Sequence, residues 1–254
     1  GKALNAQSVT TGASLILVNL TATGTVDVAG AQIAAQLTCS GATLDGAGGK
    51  ALNAQGVTTG ASLILVNFTA TGTVDVAGAQ IRGQLNFIGA KLGGAGEPAL
   101  VARSIHVSDS FIWRQINSCS GRVNLNAAHV ATLVDDAESW AKVDSLNLDG
   151  FTYDRITASP TDAETRLEWL RKGSVAAGQF SPQPYTQFAK VLREMGHASE
   201  ARKVLMERES RLFAAAHTAN LAALNRARSS NDGDVGWAWI RYQLLLLWAW
   251  FTRR

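Results

Sequence analysis

Apolar residues recur at a step of eleven along the first part of the chain: Val26 with Leu37, Val28 with Cys39, Ala31 with Ala42, Ile33 with Leu44. Leu15 and Leu17 precede Val26 and Val28 by the same step, and Val74/Leu85, Val76/Phe87, Ala79/Ala90 and Ile81/Leu92 continue it. Each step divides into about five and six, with a small residue two places before an apolar one in "AxI" and "AxL". That spacing is too long for a heptad and too irregular for an amphipathic helix. The β-branched residues, Gly and Thr also disfavour helix. The pattern predicts short strands joined by Gly-containing corners, with apolar residues turned inward on each side of a coil. Two halves of eleven make a four-sided coil of about 22 residues.

A longer period lies over the short one. Residues 1–48 and 49–96 are identical at 39 of 48 positions. Two coils plus the insertion "DGAGGK" account for 48 residues. The physical logic is that of a solenoid, in which one coil cannot bury its inward side chains but stacked coils bury each other's. A degenerate third copy follows, "PALVARSIHVSDSFIWRQI" echoing "KALNAQGVTTGASLILVNF", with a one-residue slip before "VNLNAAHVATL". Asn5, Asn53, Asn19 and Asn67 recur at corners, where their amides can bond neighbouring backbone. Residues 135–158, with Trp140, Phe151 and Tyr153, are expected to cap the stack, since an open end exposes strand edges. The start of the chain shows no comparable cap, so further coils upstream, or pairing of that end with another molecule, are expected.

The second half reads as helix. "SPTDAETRLEWLRKG" opens with a capping box, Thr161 and Glu164, and closes at Gly173. Pro184 suits a first helical turn, Tyr185, Phe188, Leu192 and Met195 form an apolar face, and Gly196 supplies a stop. A longer helix over about residues 199–228 carries Ala201, Val204, Leu205 and Leu212. The pair reads as an αα-hairpin that docks or caps. After "SSNDGDVG" comes "WAWIRYQLLLLWAWFTRR". Trp237, Trp239, Trp248, Trp250 and Phe251 flank Leu244, Leu245, Leu246 and Leu247, with Arg253 and Arg254 outside, the pattern of an aromatic belt with basic anchors. Residues 235–251 span about 25 Å as helix against a hydrocarbon core of roughly 30 Å. This segment is expected to anchor to membrane lipid; burial in an oligomer or against the solenoid is the other reading. The organisation is therefore a β-solenoid over 1–134, its cap over 135–158, a helical region over 159–229 and a membrane-proximal helix over 230–254.

Composition adds the contrast between halves. Residues 1–98 hold four Lys or Arg and four Asp or Glu, whereas residues 162–228 are crowded with charge. No basic stripe with aromatics marks the solenoid, so nucleic acid is not an expected partner. Cys39 takes the inward slot of Phe87 and reads as a structural thiol, and two cysteines make no disulfide framework. His106, His129, His197 and His217 share no metal-ligand spacing, and His129 takes the outward place of Gln80 and Gln32. Asp135 and Asp136 read as an exposed cap turn. There is no dinucleotide fingerprint, P-loop or CxxC, so no catalytic residue, cofactor or metal is assigned.

Two resemblances extend this reading. "AGAQIAAQLTCSGATL" resembles a loosened pentapeptide-repeat β-helix, which implies a right-handed, four-sided solenoid. "GAQIRGQLNFIGAKL", "LNLDGFTYDRI", "RLEWLRK", "SPQPYTQFAKVLREMGHASEARKVL" and the Trp-rich tail together resemble a bacterial family labelled membrane-associated oxidoreductase. That resemblance implies a solenoid, then helices, then a membrane-proximal C-terminus, while no residue here carries redox chemistry. The expected function is a non-enzymatic, membrane-associated scaffold on the cytoplasmic face of the bacterial inner membrane, binding lipid and a protein partner or subunits of a membrane complex. An enzyme or ligand-binding protein using a cleft between solenoid and hairpin, and a self-assembling filament, are the alternatives.

Overall fold

The computed structural model describes residues 1–94, 98–176 and 178–230. Short strands stack as a β-solenoid of about seven turns, and every strand pair within it is parallel. One column of inward residues runs Leu4, Val26, Leu52, Val74, Leu100, Val123, Leu146. The steps along it are 22, 26, 22, 26, 23 and 23 residues. The 48-residue repeat is thus one short coil and one long coil, and the one-residue slip of the third copy is the step of 23. The extra residues of the first long coil fall in the strand Thr43–Asn53, where "DGAGGK" lies. The local register shift that they force leaves carbonyls off the ladder. Thr25 Oγ1 donates to the Lys50 carbonyl at 2.8 Å and Thr73 Oγ1 to that of Pro98 at 2.7 Å. Such pairing meets the backbone demand that a bulge creates.

Three further columns complete a four-sided cross-section. The second runs Thr11, Ile33, Thr59, Ile81, Val107, Val130, Tyr153. The third runs Leu15, Leu37, Leu63, Leu85, Phe111, Leu133, Ile156. The fourth runs Ala22, Leu44, Ala70, Leu92, Cys119. The eight positions of the eleven-residue rhythm in the second coil, from Val26 to Leu44, are all 2% exposed or less. Corners close by i to i+3 bonds, as from Ala31 N–H to the Val28 carbonyl at 3.1 Å, with Gly30 at φ 67°. A turn with positive φ only at its third residue is type II, which favours Gly or Asn there. Asn19 and Asn67 take φ 55° and 53° at the same kind of corner.

The strands Ser145–Asn147 and Thr152–Ile156 stay in register with the coil before, so the segment expected as a cap supplies the seventh coil. The lid is helical: α1 (Ala137–Ala141) and α2 (Ala163–Gly173). Beyond it, α3 (Gln183–Glu194) packs against both the seventh coil and α4 (Ala198–Ser230). The hairpin stop is a Schellman arrangement at Gly196 (φ 85°), with His197 N–H bonded to the Leu192 carbonyl and Gly196 N–H to that of Arg193. The expected Thr161–Glu164 capping box is replaced by Asp162, whose carboxylate accepts from Thr165 N–H, and by Glu200, which reaches across to Ala163 N–H at 2.8 Å. No helix among the described residues is long and apolar enough to cross a membrane. The residues expected to anchor to a membrane, Trp237, Trp239, Leu244, Leu245, Leu246, Leu247, Trp248, Trp250, Phe251, Arg253 and Arg254, lie outside the described residues.

Candidate interaction surface

A solenoid shows its partners the outward residues of its faces, so the site is sought there. The first face carries a polar ladder, Asn5, Asp27, Asn53, Asp75, then Asn124 and Asn147 beyond Val101. Its side chains pair with each other across coils. Lys2 Nζ meets Asp27 at 2.7 Å, Asn53 Nδ2 donates to Asp27 at 2.9 Å, and Lys50 Nζ meets Asp75 at 2.8 Å. These links hold the register between consecutive coils, because a slip of one residue would break all of them. The second face is a row of Thr10, Gln32, Thr58, Gln80, His106, His129 and Thr152. The fourth carries Thr21, Thr43, Thr69, Lys91 and Ser118.

The third face differs. Its outward row reads Ile16, Thr38, Ile64, Asn86, Ile112, Val134, with Val18, Ser40, Val66 and Ile88 beside it. Ile16 is 66% and Val18 46% exposed, while Ile64, Val66, Ile88 and Val134 are half-buried between the coils above and below. The alternation of a strand explains the origin: in "SLILVN", Leu15 and Leu17 point inward, so Ile16 and Val18 must point out. Four consecutive apolar residues in a strand of period two was the available signal, and it marks either a fault or a function. The step of eleven marks only the inward pair, Leu15 and Leu17.

The C-terminal lid concentrates the protein's buried polar chemistry. Arg166 forks onto Asp135 with contacts of 2.6 and 2.7 Å, and Trp140 Nε1 donates to the same carboxylate at 2.6 Å. Asp135 is fully buried, which corrects the expected exposed Asp135–Asp136 turn; Asp136 alone caps a helix, accepting from Ser139 N–H. Trp113 stacks on Trp140 at 5.1 Å, Trp140 lies 5.9 Å from Trp169, and the Arg166 guanidinium sits over the Trp169 ring. Every polar arm of the Asp135–Arg166 pair is met by protein, so it staples lid to solenoid.

The depressions beside the lid are modest. One of about 110 Å³ lies between α1 and α2 against Trp140, Trp169 and Lys172. A groove of about 420 Å³ between α2 and α4 is lined by Asp162, Leu167, Arg171, Glu200 and Lys203. Of its carboxylates, Asp162 and Glu200 already serve the N-terminus of α2, as above, and Lys203 pairs with Glu200 at 2.7 Å. Both thiols are buried, and burial pushes each up to about 12, with the Asp144 charge adding to it at Cys119. A nucleophilic cysteine needs the opposite shift. His106 and His129 are brought together, whereas His197 follows the hairpin stop and His217 lies on α4. Among the described residues no group of three or more His, Cys, Asp or Glu is placed to hold a metal.

No protein-family model, curated protein or solved structure matches the chain. Of the two resemblances read from the sequence, the structure carries the β-solenoid architecture with a helical region after it.

Proposed function

We propose that the chain is a non-enzymatic scaffold that offers its apolar third face to a protein partner, held at a membrane surface by the Trp-rich C-terminal segment. The observation that carries this reading is the outward cluster of Ile16 and Val18, both exposed, with the half-buried Ile64, Val66, Ile88 and Val134, on one face of four. Branched apolar side chains on a fixed sheet lose little rotamer freedom on binding, which favours docking. Exposed apolar patches on otherwise polar proteins mark protein or membrane contacts. The anchoring arm rests on the belt of Trp237, Trp239, Trp248 and Trp250 with Arg253 and Arg254. The cytoplasmic face of a bacterial inner membrane, with subunits of a membrane complex as partners, is the setting that suits both arms.

Liposome flotation of the full chain beside a version ending at Asp234 tests the anchor, and only the full chain is expected to float. A photo-crosslinking residue at Val66, compared with one at Thr58 on the second face, tests the docking surface in native membranes. Adducts to a protein are expected from Val66 alone. Flotation of both versions or of neither would sink the anchor; equal labelling from the two faces, or none, would sink the docking face.

A further inference from the structure

We propose that His106 and His129 form a binding site for a borderline divalent transition-metal cation, with Cu(II) its strongest ligand. The two residues pair directly in register on consecutive coils of the second face. Their rings stack with centroids 5.1 Å apart and planes 21° apart. Where the other coils of this row carry Thr or Gln, two neighbouring coils carry imidazole.

The surroundings engage one ring nitrogen of His129. Thr152 Oγ1 donates to the Ala128 carbonyl at 3.4 Å and lies 3.0 Å from His129 Nδ1. Thr152 Oγ1 thus occupies Nδ1 and leaves Nε2 as the nitrogen open to a metal, with Nδ1–H donating to the hydroxyl once Nε2 is ligated. A ring nitrogen fixed by such an outer partner is the usual support of a metal-ligating histidine. His106 is exposed, and no hydrogen bond among the described residues ties its ring. Metal–nitrogen bonds of about 2.0–2.1 Å bring two ligating nitrogens within roughly 4 Å of each other. From stacked rings at 5.1 Å that requires a tilt of the free His106 ring, which its exposed position permits. Gln80 stands one coil below in the same row, and water completes the shell. Two imidazoles with water suit the later first-row divalent ions, among which Cu(II) binds tightest.

Titration of the full chain with Cu(II) by calorimetry, with electron paramagnetic resonance to count coordinated imidazoles, tests the site. One Cu(II) per chain with two imidazoles is expected. His106→Ala and His129→Ala should each reduce it to single-imidazole binding, and Thr152→Val should weaken it about tenfold. His197→Ala and His217→Ala should leave it unchanged, and circular dichroism checks that every variant is folded. A one-imidazole signal in the parent, or binding that survives both His106→Ala and His129→Ala, overturns the proposal.

Discussion

The first and third coils are written in almost the same letters and live in different surroundings. Leu15, Leu17 and Val9 of the first coil match Leu63, Leu65 and Val57 of the third. The three in the third coil are fully buried, whereas Leu15 and Leu17 are half-buried and Val9 is 38% exposed. Among the described residues the third coil has neighbours on both sides, and the first is paired on the side of the second coil. Full burial of a Leu or Val is worth about 1.5–3 kcal/mol relative to exposure, so identical residues contribute unequally. The polar side chains divide the same way. Lys2 and Lys50 each reach the following coil, and of the matched Asn5 and Asn53 it is Asn53 that donates back to a preceding one, at Asp27. In a solenoid, stability is a property of interfaces between coils more than of the coils themselves.

The largest way to disturb this contrast is to unlatch the far end, where the lid keeps the seventh coil from resembling the first. Asp135→Asn leaves the Arg166 guanidinium buried without its carboxylate. Removing one partner of a buried ion pair costs about 3–5 kcal/mol, and the urea midpoint should fall accordingly. A loss under about 1 kcal/mol would show that the pair does not latch the lid.

A smaller and sharper test uses one letter in both contexts. A methyl group on Gly60 would overlap the Ala34 carbonyl oxygen of the second coil, whereas nothing lies within 4 Å of the same position on Gly12. Gly60→Ala should destabilise by about 1–3 kcal/mol through overpacking. Gly12→Ala should stay within about 0.5 kcal/mol. Equal losses in denaturant melts would mean that the two coils share one environment.

The smallest effect is electrostatic. Burial alone would raise the Asp27 carboxyl, but the Lys2 ammonium, the Ala29 N–H and the Asn53 amide together hold it below its ordinary 3.8. A carboxylate depressed by folding contributes stability that is present above its unfolded value and is lost as pH falls through the folded one. Lys2→Met should therefore lower the urea midpoint at neutral pH by about 1 kcal/mol or less, since Lys2 is half-exposed. That deficit should shrink as the pH is taken below 3.8. A deficit constant across the titration would assign the Lys2 effect to packing.

The inward columns were legible because a strand repeats every two residues and a coil repeats every 22 or 26, so Val26, Leu37 and Leu44 had to share the core. Pairings that join distant residues were not. Asp135 beside Asp136 looks like a polar turn until Arg166 is brought across to it by the packing of α2. The apolar third face was half visible in "LILV", but its extent depends on Val134, which register alone places in line with Ile16, and on Ile88, which it places in line with Val18. His106 and His129 are 23 residues apart in a row of Thr and Gln, and only the slipped coil stacks them.

The sequence by itself determined the solenoid, its coil length, its duplication and the helical hairpin, because those follow from local periodicity, corner residues and helix stops. Tertiary structure alone decided which of two nearly identical coils is enclosed, which carboxylate is buried, and which outward side chains become neighbours. Those properties depend on the coil or helix that lies alongside, and the chain's own letters at a position do not encode that neighbour.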